Sequence, residues 1–180
     1  RHMVDGIGDF PPLSEEECRG VDAVFVVGFY NDRNLWENDR MDDLRHVVNT
    51  VKEKLAAADN ARARIVLVAP HRHGRNSWYK DDAYLDGDRR ADAVAAVAAE
   101  TGCGFVDWMR YGGIVRENWC LYQSSAVAVR PGMSEVVNQS MEKGPRAEPY
   151  PWLADQLHPN EKGYERLGEA LVRELTHIDL

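Results

Sequence analysis

The sequence predicts an α/β fold built on a parallel sheet, and three observations predict it. Apolar runs of strand length occur at Val21–Gly28, Ala63–His71 and Gly104–Trp108. Between them lie stretches whose apolar residues recur at helical spacing. Strands that alternate with helices in this way need crossover connections, and so a parallel sheet.

The first run, Val-Asp-Ala-Val-Phe-Val-Val-Gly, is almost continuously apolar and ends in Gly28. That pattern suits a strand covered on both faces. A polar loop follows. Residues 41–59 then carry Leu44, Val47, Val48, Val51 and Leu55 on one helical stripe, with acidic residues in the first turn. The second run, Ala-Arg-Ile-Val-Leu-Val-Ala-Pro-His, is stopped by Pro70. A polar loop is expected from His71 to Gly87, and a second helix from about Asp88 to a stop at Gly102. Gly-Phe-Val-Asp-Trp is the third strand. Residues 110–150 are irregular and read as one long loop insertion. A last helix runs from Asn160 to about Thr176, with Tyr164, Leu167, Leu171 and Leu175 on one face.

The 180 residues, 44% hydrophobic and 29% charged, fit a single domain with a real core. The formal net charge of −8 argues against nucleic acid as a partner. No run approaches the roughly 18 apolar residues a membrane span requires. Cys18, Cys103 and Cys120 are too few, and odd in number, for a disulfide framework. Arg1-His2-Met3 reads as a cloning remnant. No signal peptide precedes Val4, so the chain as it stands reads as cytoplasmic, and secretion stays open because a leader is removed on export.

The chemistry concentrates near the end of the chain, in Asp155-Gln-Leu-His158-Pro-Asn. An Asp that accepts a hydrogen bond from a His ring fixes its tautomer and steadies the imidazolium. The other ring nitrogen then acts as a general base. Pro159 and Asn160 end the loop and start the helix. The plainer reading is a helix start at which both side chains satisfy local backbone groups.

Read with its surroundings, the stretch from Asp155 to Leu171 resembles the last block of the Ser-Gly-Asn-His hydrolases, the GDSL esterase/lipase family. Val24–Asp32, a strand leading into Gly28 and Asn31, is similar to that family's third block. Two residues separate Gly28 from Asn31 here, where the family has one. The second strand, the helix after it and the third strand follow the family's order. The resemblance covers about four-fifths of the chain. It implies a flavodoxin-like three-layer sandwich of the Ser-Gly-Asn-His type, and hydrolysis or transfer of a small acyl or acetyl ester, including one carried on a carbohydrate. It implies His158 as base, Asp155 as its orienter and Asn31 as an oxyanion donor, with the strand-end Gly28 beside it. It implies no metal and no cofactor. The simpler reading of Asn31 and Asp32 is an Asx turn after a strand.

The family's first block, a strand followed by Gly-Asp-Ser, has no match. Gly6-Ile-Gly8-Asp-Phe10 contains Gly-Asp, but Phe10 stands where Ser belongs and no strand precedes it. The segment is better matched to the second block, which makes the Gly6 or Gly8 amide an oxyanion donor. On that alignment the first strand is missing or altered. In the order 2-1-3-4-5 that strand is central, so about three strands remain, with an open apolar edge. A segment of the natural chain, a partner chain, a homodimer or a rearranged N-terminus is expected to cover it.

No serine sits in a strand–turn–helix elbow. Ser14 lies in the second-block segment, but Ser14-Glu-Glu-Glu also reads as a helix N-cap. Ser124 and Ser125 lie in the long loop. Cys120 is the best thiol, though beside Trp119 and Leu121 it reads more readily as packing. A catalytically inactive binding module that kept the pocket and lost its nucleophile is therefore the alternative function. His71 and His73, with Asp81, Asp82, Asp86 and Asp88 downstream, lack a third ligand at metal spacing. With Arg72 and Arg75 they suit an anionic or sugar substrate better. Trp36, Trp78, Trp108, Trp119 and Trp152 lie in or beside loops, either as a substrate platform or as packing.

Overall fold

The computed structural model describes residues 2–6, 11–27, 38–71, 81–114, 159 and 161–176. In chain order the elements are α1 (His2–Asp5), α2 (Glu15–Cys18), β1 (Ala23–Val27), α3 (Asn38–Ala57), β2 (Arg64–Ala69), α4 (Asp81–Thr101), β3 (Gly104–Asp107), α5 (Trp108–Tyr111) and α6 (Glu161–Leu175). The fold is α/β. A three-stranded parallel sheet in the order β1-β2-β3 forms among the described residues. β1 and β2 pair from Ala23 opposite Arg64 to Val27 opposite Val68. The order is that of the last three strands of a doubly wound 2-1-3-4-5 sheet.

The chain divides into two compact units, residues 1–69 with 90–106, and residues 70–89 with 107–179. The first unit holds the sheet. Val66, Leu67, Val68 and Ala69 of β2 are completely buried, as a strand flanked on both sides requires. The stripe Leu44, Val47, Val48, Val51 and Leu55 of α3 is buried as its spacing predicts, and so are Ala91, Val94, Val97 and Ala98 of α4.

α3 and α4 stop in the same way. Asn60 N donates to Leu55 O and Asp59 N to Ala56 O, with Asp59 at φ 57°. Cys103 N donates to Ala98 O and Gly102 N to Ala99 O, with Gly102 at φ 67°. Both are Schellman stops, in which a left-handed residue lets the chain turn back onto the last carbonyls. Between the two helices, Lys52 Nζ donates to Thr101 O at 2.6 Å. Arg45 Nε and Nη2 grip the Glu100 carboxylate at 2.8–3.0 Å while Nη1 holds Asp42 at 2.7 Å.

Three sequence expectations are corrected. β1 is not covered on both faces: Val26 is buried, but Phe25 and Val27 are each 38% exposed. β1 is the outer strand of the described sheet, so alternation leaves one face open. α4 starts at Asp81, not near Asp88, and Gly87 lies inside it. A helix-interior Gly costs only about 1 kcal/mol, so Gly87 does not stop the helix. In α6 the buried positions are Gly163, Leu167 and Ala170, whereas Tyr164 is 60% exposed. The inward stripe is turned so that small residues face the packed side, which allows close approach.

In the second unit, Asp107 caps α5. Its Oδ1 accepts from Arg110 N at 2.9 Å and its Oδ2 from Arg110 Nη1 at 2.9 Å. Arg110 Nη2 also donates to Asp88 O at 3.2 Å. The turn after α5 receives α6. Arg173 Nη2 donates to Tyr111 O at 2.8 Å, and Leu167 packs against Gly112.

Candidate functional site

The carboxyl ends of parallel strands are where α/β folds place their chemistry. β1 ends at Val27, directly ahead of Gly28 and Asn31. β2 ends at Ala69 and leads through Pro70 into His71, which is 4% exposed. β3 ends at Asp107, also buried, and passes straight into α5. α6 opens at Glu161, three residues after His158. Pro159, between them, is buried and forms a β-bridge.

His158, Asp155, Asn31, Gly8, Gly28 and Cys120 lie outside the described residues, as do Ser124, Ser125, Arg72, His73 and Arg75. Gly6 and Ser14 are described. Gly6 follows α1 with φ 76°, a left-handed conformation that suits Gly. Its segment is tied down in the first unit. Val4 is buried, Val4 O accepts from Leu13 N, and the Asp5 carboxylate lies 3.0 and 3.1 Å from His46 Nε2 on α3. His46 is part-exposed and engaged.

Ser14 is the N-cap of α2 in a complete capping box. Its Oγ accepts from Glu17 N at 3.2 Å and donates to Glu17 Oε2 at 2.7 Å. Glu17 Oε2 also accepts from Ser14 N at 2.9 Å. The hydroxyl proton therefore points at a carboxylate. The main-chain bond to Ser14, and then the hydroxyl, hold the Glu17 carboxyl below its ordinary range.

A pH dependence follows. A depressed folded value gives stability that is present above the unfolded carboxylate range and lost as pH falls through the folded value. Ser14→Ala is thus expected to be less stable than the parent at every pH through the lost N-cap bond to Glu17 N, and by more at neutral pH than in strong acid, where the hydroxyl's bond to the Glu17 carboxylate no longer counts. Urea midpoints across pH check this. A deficit of the same size at all pH would assign the whole loss to the N-cap bond and none to the carboxylate.

Sequence reasoning passed over Asp107. Asp107 is a buried carboxylate fixed by Arg110. The Asp-x-x-Arg spacing at a strand end was the available signal, because an N-cap Asp reaches a donor three residues on. The Trp108 indole Nε1 is buried with no hydrogen-bond acceptor among the described residues. Cys18 is buried, and burial pushes its thiol up, so it is a poor nucleophile. No group of three His, Cys, Asp or Glu suited to a metal occurs among the described residues. No described helix is long and apolar enough to cross a membrane.

No protein-family model and no curated protein matches the chain. Solved structures do. One crystal structure aligns with a TM-score of 0.51 at 17% identity, over 87% of this chain and 65% of that one. A catalytic mutant of Axe2, an acetylxylan esterase from Geobacillus stearothermophilus, aligns with a TM-score of 0.44 at 20% identity, over 86% of this chain and 59% of its own. A second Axe2 mutant, described as an acetyl-xylooligosaccharide esterase, gives 0.44 at 19% identity with the same coverage. The chain spans less than two thirds of the length of these proteins. At 17% identity the first likeness is one of fold alone.

Proposed function

We propose that this chain is a hydrolase domain of the Ser-Gly-Asn-His type, acting on a small acyl or acetyl ester such as one carried on a carbohydrate. One observation carries the reading. The Asp155-Gln-Leu-His158-Pro-Asn block stands immediately ahead of α6, in a chain whose parallel strands follow the order of the last three in a doubly wound sheet. His158 is the base and Asp155 orients it. Asn31, with the Gly6 or Gly8 amide, donates to the oxyanion, and Gly28 brings Asn31 to the strand end.

In the reaction a nucleophile oxygen attacks the ester carbonyl while His158 takes its proton. The carbonyl oxygen becomes an oxyanion held by the amide donors. The alcohol leaves with the proton that His158 returns, and water then repeats the sequence on the acyl-enzyme. The nucleophile is unassigned.

A second reading is favoured by a specific observation: the sequence contains no Gly-Asp-Ser, and the Ser14 hydroxyl is committed to Glu17. The domain then binds esters without cleaving them. Incubation with a fluorophosphonate probe, then intact mass and peptide mapping, separates the two. One adduct, absent from His158→Ala, supports the enzyme and names its nucleophile. No adduct on folded protein supports the binding module. The outer face of β1 is the place for a covering chain, and light scattering with intact mass of any co-purifying polypeptide tests that.

A further inference from the structure

The apolar arc of α6 is wider than the arc the fold covers. At about 3.6 residues per turn, positions four apart line up as rows along the helix. The row Gly163, Leu167, Leu171 and Leu175 faces inward: Leu167 is 2% exposed, and the two leucines after it are half-buried. The row beside it, Tyr164, Gly168 and Val172, is open. Tyr164 is 60% exposed and Val172 65%, and a Cβ on Gly168 would meet nothing within 4 Å.

A single exposed apolar residue needs no explanation, whereas a contiguous strip with a polar border marks a contact surface. Here Tyr164 and Val172 stand about two turns apart with a dent at Gly168 between them. That is the relief into which the ridge of another helix packs. The next row round the helix is acidic: Glu161, Glu165 and Glu169 are all exposed. Glu169 takes Arg166 Nη1 at 3.3 Å, and among the described residues no ion pair engages Glu161 or Glu165. Arg173, which ends that row, is turned onto Tyr111 O.

We propose that this face of α6 is a docking surface for a basic amphipathic helix of another protein. The apolar side of the partner lies along Tyr164, Gly168 and Val172, with Tyr164 as the anchor. Its Lys or Arg residues stand opposite Glu161 and Glu165, so that the two charge patterns are complementary. The partner segment is helical because the face of α6 offers side-chain relief and no unpaired main-chain edge, which an added strand would need. The same carboxylates repel an anionic membrane and nucleic acid, both of which require a basic face.

The test titrates the whole chain, labelled for amide NMR, with a synthetic helical peptide about as long as α6. The peptide carries Leu at its a and d positions and Lys at e and g, and a second peptide has Glu in place of every Lys. The Lys peptide is expected to shift the amide resonances of residues 161–172 and to bind about 10-fold or more tightly than the Glu peptide. Tyr164→Ala is expected to weaken that binding by about 10-fold or more, as loss of an aromatic anchor does. Glu161→Lys/Glu165→Lys is expected to reverse the preference, so that the Glu peptide binds better.

All three substituted side chains are exposed, so the variants are expected to keep the parent's fold, which the same amide spectra report. Should Tyr164→Ala lose it, the charge-reversed variant decides by the same criterion. Equal binding of the two peptides, binding of neither, or shifts confined to residues outside α6 would overturn the proposal. Sedimentation with phosphatidylserine vesicles that is lost in Tyr164→Ala would assign the face to a membrane and overturn it as well.

Discussion

Asn60→Ala is expected to lower the unfolding free energy by about 3 kcal/mol, from two lost hydrogen bonds and the buried acceptor they leave unsatisfied. Asn60 stands just past the end of α3 and is 4% exposed. Its Nδ2 donates to Cys18 O at 2.9 Å and to Val21 O at 2.8 Å. One amide therefore fastens the chain between α2 and β1 to the end of α3. It does so next to the point where Arg64 N donates to Asp22 O at 2.9 Å and the parallel pairing begins. The main-chain bond from Asn60 N to Leu55 O survives the substitution, so the helix stop is retained and the loss isolates the amide. Urea unfolding checks it. A midpoint shift equivalent to less than about 1 kcal/mol would mean that the two carbonyls find other donors. Asn60→Asp is expected to do no better, because a carboxylate has no proton to offer either carbonyl.

That staple was not legible in the sequence. Asp59-Asn60 at a helix end reads as an ordinary stop, and which carbonyls the amide reaches depends on tertiary packing. What was legible has a local cause. The α3 stripe and the β2 run declare themselves because burial there demands apolar residues at a fixed period. Gly102 declares itself because a left-handed stop favours Gly. The errors also have causes. β1 reads as doubly covered because an apolar run carries no information about whether a neighbouring layer exists. Gly87 reads as a loop because a helix-interior Gly is an affordable exception. Tyr164 reads as inward because its side chain is apolar, while Gly163 and Ala170 take the packed face by being small. Of the candidate site, Asp155 and His158 stand out in the sequence by residue type and by the helix start behind them, and both lie outside the described residues. Asp107 does not stand out, because its burial arises only once Arg110 folds back on it.

Asp155→Asn is expected to lower kcat/KM for ester cleavage by about 10³-fold or more, close to the loss expected for His158→Ala. The pair of variants separates the two readings of this block. If Asp155 only satisfies backbone amides ahead of α6, Asn serves equally well, because Asn and Asp are equivalent caps. Stability and activity would then both be kept. If Asp155 fixes the tautomer of His158, Asn fails, because its amide can donate to the ring and favour the wrong tautomer. Activity would fall while the melting temperature stayed within a degree or two of the parent's. His158→Ala removes the base outright, and its rate sets the floor against which Asp155→Asn is judged. A rise in the Asp155→Asn rate at high pH, where hydroxide replaces the missing base, would add support. Equal, measurable activity of parent and Asp155→Asn across pH would assign Asp155 to helix capping and overturn its role as the orienter of His158.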